Sequence, residues 1–217
     1  MAEEDISIRA MTLNDHAEVK SFLRHNFYTG EPLSLTSDED VEKCDEEEAD
    51  DAHAATIEQG YSLVAVNASG RIVGLMLAEA KYPEDVEEHQ REAEQMEQHI
   101  WGRINRLLSK VEREANIFER YKVSKTLYLH IVSVDASIRG KGLGSRLGTA
   151  LITLGRAKGF PLLVAYCTSF YAARQLQALG LECIHSQPYA DYKDEQGQVV
   201  FQTAPPHTEL RVMAMRL

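Results

Sequence analysis

Arg139, Gly140, Lys141, Gly142 and Gly144 are the residues whose types and spacing most directly suggest chemistry. They stand in VSVDASIRGKGLGSRLG, residues 132–148, between an apolar strand-like run and a helix-like one. Glycines at such a junction let the backbone approach a ligand with no Cβ in the way. Successive N–H groups at a helix N-terminus make a nest for an anion, usually a phosphate. Two common phosphate motifs fail on spacing. The Walker pattern, with four residues between its glycines and then Lys and Ser or Thr, is absent. The dinucleotide fingerprint fails because Ser145 stands where its third glycine belongs. What fits is Arg139-x-x-Gly142-x-Gly144, with Arg139 and Lys141 adding positive charge to an acidic chain. The rival reading is a glycine-rich turn with no ligand.

The elements that must position this loop follow from periodicity. ISIRAM (6–11) alternates and reads as a strand; Thr12 then caps a helix, with Asp15 in the capping-box position. Ala17, Val19, Phe22, Leu23 and Phe27 give that helix an apolar face, and Gly30 and Pro32 end it in NFYTGEPLS. YSLVAVN (61–67), ASG and RIVGLMLAEA (71–80) read as strand, turn, strand. Residues 84–116 are helical in composition, with Met96, Ile100, Ile104, Leu107, Leu108 and Val111 at helical spacing. TLYLHIVSV (126–134) is a buried-type strand, and 142–159 a helix striped by Leu143, Leu147, Leu151 and Leu154. PLLVAYC (161–167) is a strand, SFYAARQLQALG (169–180) a helix closed by Gly180, and strands beginning at LECIH, at VVFQ and at LRVMAMRL end the chain. Strands interleaved with helices imply one layered α/β domain over residues 1–217, with no linker that would split it.

Bulk properties narrow the function. The chain has 217 residues, 44% apolar and 26% charged, as in an ordinary globular domain. A net charge of −11 argues against nucleic acid as a partner and favours a small cationic one. MAEEDISIR has neither the basic nor the apolar part of a signal peptide, and no apolar run approaches a membrane span. Cys44, Cys167 and Cys183 are few and widely spaced, as expected of free thiols in a reducing compartment, so a cytoplasmic location is expected. No His/Cys/Asp cluster has metal-ligand spacing, and no metal is expected.

The loop, with its strand before and its leucine-striped helix after, resembles the acyl-CoA diphosphate signature of the GNAT superfamily of N-acetyltransferases. NFYTGEPLS (26–34), REANIFERY (113–121), YADYKDEQGQVVF (189–201) and APPHTELRVMA (204–214) are similar to stretches of the insect-type arylalkylamine N-acetyltransferases, the group that includes dopamine N-acetyltransferase. The resemblance covers nearly the whole chain. It implies a mixed central sheet of about seven strands flanked by helices, with the fourth and fifth strands splayed to admit the pantetheine arm of acetyl-CoA. That arm is expected along Val132, Ser133 and Val134, with the diphosphate held by Arg139, Gly140, Lys141, Gly142, Leu143, Gly144 and Ser145. Ser169, Tyr171 and Arg174 are further candidates to touch the coenzyme, and a backbone N–H near Val134 is expected to receive the oxyanion.

The resemblance also implies catalytic residues. Glu31 matches the glutamate proposed as general base, taking the proton that an amine must lose before it attacks. The tyrosine acid of many GNAT enzymes is Leu176 here. The insect-type enzymes instead have two serines proposed to act with that glutamate; one position is Thr168, which keeps a hydroxyl, and the other is Ala172, which does not, so the Glu–Ser–Ser arrangement is incomplete. Thr168 and Ser169 are therefore the hydroxyl candidates for catalysis, although helix-capping residues would look the same. Tyr28, Glu31, Pro32 and His207 are candidates for the amine site.

The expected activity is acetyl transfer from acetyl-CoA to a small primary amine within a ternary complex, by a monomer. The amine itself stays open. The run DEDVEKCDEEEADD (38–51) would draw a polyamine if it lines the cleft, and says nothing if it is a solvated helix face. Phe27 and Tyr28 would suit an arylalkylamine through ring contacts, or are simply helix core. A degenerate acyl-CoA binder and a protein or peptide N-acetyltransferase are the rival functions.

Overall fold

The computed structural model describes residues 5–37, 46–96 and 99–217, with side chains described outside 46–51. Strand β1 (Ser7–Ala10) leads into a short 3-10 turn and helix α1 (His16–Leu23). Asp15 accepts from the Thr12 backbone N–H at 2.8 Å and from Thr12 Oγ1 at 3.0 Å, as the capping-box reading expects. Arg9 grips the same carboxylate with both terminal nitrogens, at 2.7 and 2.8 Å. The Arg9 guanidinium, with the Thr12 donors, holds Asp15 down at about 2. A depressed carboxylate stabilises the fold above its unfolded value of 3.8 and stops doing so as pH falls through about 2. Arg9 is 45% exposed, so solvent screening reduces the effect to about 1 kcal/mol. Asp15→Asn is therefore expected to cost about that much at pH 7, and to flatten the loss of stability between pH 4 and 2 in acid unfolding.

Past α1 the helix widens into a π turn over Arg24–Tyr28. Such widenings are often found at functional sites, and this one delivers the chain into the Glu31 loop. Helix α2 (Glu46–Glu58) precedes the hairpin of β2 (Leu63–Val66) and β3 (Ile72–Lys81). The expected helical stretch 84–116 divides into α3 (Pro83–Gln95) and α4 (Ile100–Ala115), and a short α5 (Ile117–Tyr121) follows. Ile100, Ile104, Leu107, Val111 and Ala115 recur one turn apart on α4 and are buried, which seats it on the sheet. Glu112 fixes it further, taking Lys81 of β3 at 2.6 Å and His89 of α3 at 2.8 Å.

The remaining elements are β4 (Thr126–Val134), α6 (Leu143–Ala157), β5 (Leu162–Cys167), α7 (Phe170–Ala178), β6 (Glu182–Pro188) and β7 (Glu209–Arg216). VVFQ does not form the expected strand; Val199 makes one isolated bridge to Lys193 across the DEQG turn. Seven strands are ordered β1-β2-β3-β4-β5-β7-β6. The sheet is antiparallel except at β4 and β5, which run parallel. Helices α6 and α7 cover one face through Leu143, Leu147, Leu151 and Leu176. Helices α1 and α4 cover the other through Leu23, Ile104 and Leu107.

Two irregularities shape the centre of the sheet. The β4–β5 pairing runs only from Leu127↔Leu163 to Leu129↔Ala165, although β4 continues to Val134 and β5 to Cys167. The expected splay is therefore present, and it opens at Leu129. At the same level the β3–β4 register slips between Leu77↔Ile131 and Ala78↔Leu129, leaving His130 as the extra residue of a bulge.

Candidate active site

A cavity of about 820 Å³ lies across the open ends of β4 and β5. It is lined by Ile138, Arg139, Gly140, Gly142, Leu143, Gly144 and Ser145 of the glycine loop, by Asn26, Phe27, Glu31 and Pro32, and by His130 and Tyr166. Val132, Ser133, Val134, Cys167 and Thr168 also line it. Residues far apart in the chain thus share one slot.

Glu31 is 8% exposed and hydrogen bonded on both oxygens. Oε1 accepts from the Leu33 N–H at 3.1 Å and from Thr168 Oγ1 at 2.7 Å. Oε2 accepts from the Ser34 N–H and Ser34 Oγ, both at 2.7 Å. The EPLS turn folds back on its own acid, and Thr168 at the end of β5 is drawn to it from 137 positions away. Tyr189, fully buried, donates its hydroxyl to the Thr168 carbonyl at 2.7 Å. Burial, with the Glu31 charge nearby, pushes this phenol well above its ordinary value, so it remains a donor. Tyr189→Phe leaves a carbonyl short of a partner and is expected to cost about 1 kcal/mol, read as a lower unfolding midpoint in denaturant.

Ser169 lines the slot but caps α7, its Oγ accepting from the Tyr171 N–H at 3.2 Å. Ser133 is buried on β4, with a hydroxyl that has no partner. His207 also lines the slot; its Nδ1 accepts from the Phe170 N–H at 3.2 Å, so Nε2 carries the ring proton. Tyr171 is 62% exposed at the mouth and stands edge-on to His207 at 5.5 Å. Arg174 is exposed at the same mouth.

Two expected residues lie outside the lining. Tyr28 packs edge-on against Phe27 at 5.2 Å and Trp101 at 5.4 Å, because the π turn points Phe27, not Tyr28, into the slot. Lys141 is exposed and is not part of the lining. Arg139 braces the loop: its Nε donates to the Val134 carbonyl at 2.9 Å and its Nη2 to the Asn26 carbonyl at 2.7 Å.

The glycines have different reasons. Gly140 (φ 78°) and Gly142 (φ 85°) adopt left-handed backbone with open space where a Cβ would stand. Gly142 is the N-cap of α6, so the first N–H groups of a 15-residue helix face the slot. Gly144 is glycine for another reason: a Cβ there would lie 2.5 Å from Gln175 Oε1.

Several lining residues went unread. His130, which alternation in the strand marks as an ordinary sheet residue, stacks on Tyr128 at 5.6 Å and is open to the slot. Protein surrounds the slot, and this burial, reinforced by the Lys81 and His89 charges, pushes the ring down to about 4 and keeps it neutral. Nothing local in the sequence signals the bulge that exposes it. Ser34, which does not line the slot but holds Glu31, was legible as a hydroxyl three residues after an acid. Gln175 was legible too, sharing a helix face with Ala172 and Leu176. Cys167 is a free thiol pushed up to about 12 by burial, which makes it a poor nucleophile. Cys183 is free and exposed; Cys44 lies outside the described residues. No helix among the described residues is long and apolar enough to cross a membrane.

The acetyltransferase (GNAT) family model matches residues 24–180. The chain belongs to the GNAT acetyltransferase family. Among solved structures this acetyltransferase is similar to an agmatine N-acetyltransferase (31% identity over 99% of this chain and 100% of that one, TM-score 0.90). It is similar also to the Drosophila melanogaster polyamine N-acetyltransferase, which forms N-acetylagmatine (31%, 98% and 100%, 0.89). A mosquito arylalkylamine N-acetyltransferase-like 5b matches at 28% over 98% and 100%, with a TM-score of 0.88. The resemblance carried by the loop and by EPLS is thus borne out for family and fold.

Proposed function

We propose that this acetyltransferase uses acetyl-CoA to acetylate a small primary amine by direct transfer in a ternary complex. The observation that carries the reading is the Thr168–Glu31 hydrogen bond of 2.7 Å in the same slot as the glycine loop. The residues present suit acetyl-CoA: open backbone at Gly140 and Gly142, a helix N-terminus beside them, and a gap between two strands for an extended arm.

Glu31 has about four lone-pair positions, and four donors occupy them. An ammonium therefore delivers its proton through a hydroxyl. Thr168 lines the slot: its oxygen accepts an N–H of the amine while its own proton passes to Glu31 Oε1. The freed nitrogen pair attacks the thioester carbonyl, the C–N bond forms, the C–S bond breaks, and the second proton shed by the acylated nitrogen goes to the departing thiolate. Leu176, 1% exposed, offers no acid. A thiolate with an ordinary value of about 8.5 is a competent leaving group and takes its proton afterwards. Ser169 is assigned to holding α7 at the mouth, and Tyr171 and Arg174 to the nucleotide side.

For the amine, Glu31 is the one carboxylate among the described lining residues, and Phe27, Tyr166 and His130 supply rings. This favours a monoamine with a flat body, such as an arylalkylamine. The second reading, agmatine or a polyamine, is favoured by the two relatives so named and by the acidic run, of which 38–45 and the side chains of 46–51 lie outside the described residues. Release of free thiol from acetyl-CoA with a panel of amines tests both. Turnover with arylalkylamines supports the first reading and with polyamines the second. Turnover with peptides alone makes it a protein acetyltransferase, and no turnover with retained CoA binding makes it a degenerate binder. Calorimetry showing no heat with acetyl-CoA or CoA overturns the proposal.

A further inference from the structure

Gln175 is used by nothing described so far, yet its amide occupies a distinctive place. It lies flat against the first turn of α6, with Oε1, Cδ and Nε2 at 2.5, 2.9 and 3.0 Å from the position of a Cβ on Gly144. Its Nε2 is shielded from solvent and has no hydrogen-bond partner. A buried amide N–H left unpaired costs free energy comparable to a lost hydrogen bond. Gln175 and Gly144 both line the slot, beside Gly142 and Ser145. The environment therefore presents a donor without an acceptor next to a helix N-terminus suited to an anion.

We propose that Gln175 is a coenzyme-binding residue whose side-chain amide donates to a diphosphate oxygen of CoA, and that Gly144 is glycine so that this amide can reach it. The proposal rests on the acetyl-CoA reading above. It gives the last glycine of Arg139-x-x-Gly142-x-Gly144 a purpose different from that of the other two. Gly140 and Gly142 shape backbone, whereas Gly144 clears room for a side chain from the next helix. The rival account is packing alone: one turn on, Gly148 also lacks room for a Cβ, because of Leu179, just past the end of α7.

Calorimetry with CoA and with pantetheine, which lacks the diphosphate, separates the two. Gln175→Leu keeps bulk and removes the donor, and is expected to weaken CoA about tenfold to a hundredfold, the range for a hydrogen bond to a charged group. Gln175→Glu places a carboxylate against the diphosphate and is expected to weaken CoA about tenfold further, with the added loss shrinking at high salt. Neither change alters pantetheine binding. Gly144→Ala displaces only the tip of a flexible side chain, so the fold persists and thermal unfolding is unchanged or improved. It is expected to weaken CoA in the native background and to do nothing further in Gln175→Leu. Equal effects of Leu and Glu, equal losses for CoA and pantetheine, or additive effects of the Gly144 and Gln175 changes would each overturn the proposal. If the unsubstituted chain binds neither CoA nor acetyl-CoA, the transferase reading itself fails, and this proposal with it.

Discussion

Glu31→Gln is expected to lower kcat by about a hundredfold to ten-thousandfold, the range for loss of a general base. The magnitude follows from the amine. A primary amine with a pKa near 10.4 is neutral in only about one molecule in 2,500 at pH 7. An enzyme without a proton acceptor must wait for that fraction, so the rise of the pH–rate profile moves towards the pKa of the free amine. Gln keeps the size of Glu31 but turns an NH2 towards the Ser34 donors, which costs stability. Thermal unfolding and CoA binding are therefore measured beside the rate. CoA affinity within about threefold of the original shows that the slot is intact. A small rate loss with an unmoved pH profile would remove Glu31 as the base.

The second large effect is at Thr168. Thr168→Ala breaks the 2.7 Å contact to Glu31 and removes the hydroxyl proposed to carry the ammonium proton. Kcat is expected to fall about tenfold to a hundredfold, with little change in CoA affinity. Thr168→Ser restores the hydroxyl and is expected to recover activity to within about threefold. Thr168→Val keeps the shape without the hydroxyl and should behave like Ala. Steady-state kinetics on the three variants decide the matter. A Val variant as active as Ser would make Thr168 a packing residue and return the proton to Glu31 by another path.

Much of the frame was legible because it follows from local repetition. The strand 126–134 was read with its observed ends, and the leucine stripe of α6 marked the face it buries. The loop between them was legible because glycine at left-handed positions has few substitutes. What stayed hidden depends on distant pairing. Where β4 leaves β5 is set by both strands and the helices packed on them, not by either sequence. His130 is exposed by a slip against β3, and a one-residue slip is invisible in an alternating pattern. Tyr28 and Phe27 exchanged roles because a π turn rotates side chains away from the 3.6-residue period. VVFQ has strand composition, but its neighbour is a turn, not a sheet edge. The resemblance put Glu31 and Thr168 into one proposed arrangement, and the fold shows that they touch.

The early parting of β4 from β5 bears on how such chains diverge. Walls built of main chain keep their spacing when side chains are exchanged, since peptide geometry is common to all residues. A slot of this kind drifts in sequence without losing its gauge, and chains that share only 28–31% of their residues still superpose at 0.88–0.90. Evolution is left free to retune the acceptor end, residue by residue, while the donor end stays compatible with one invariant molecule.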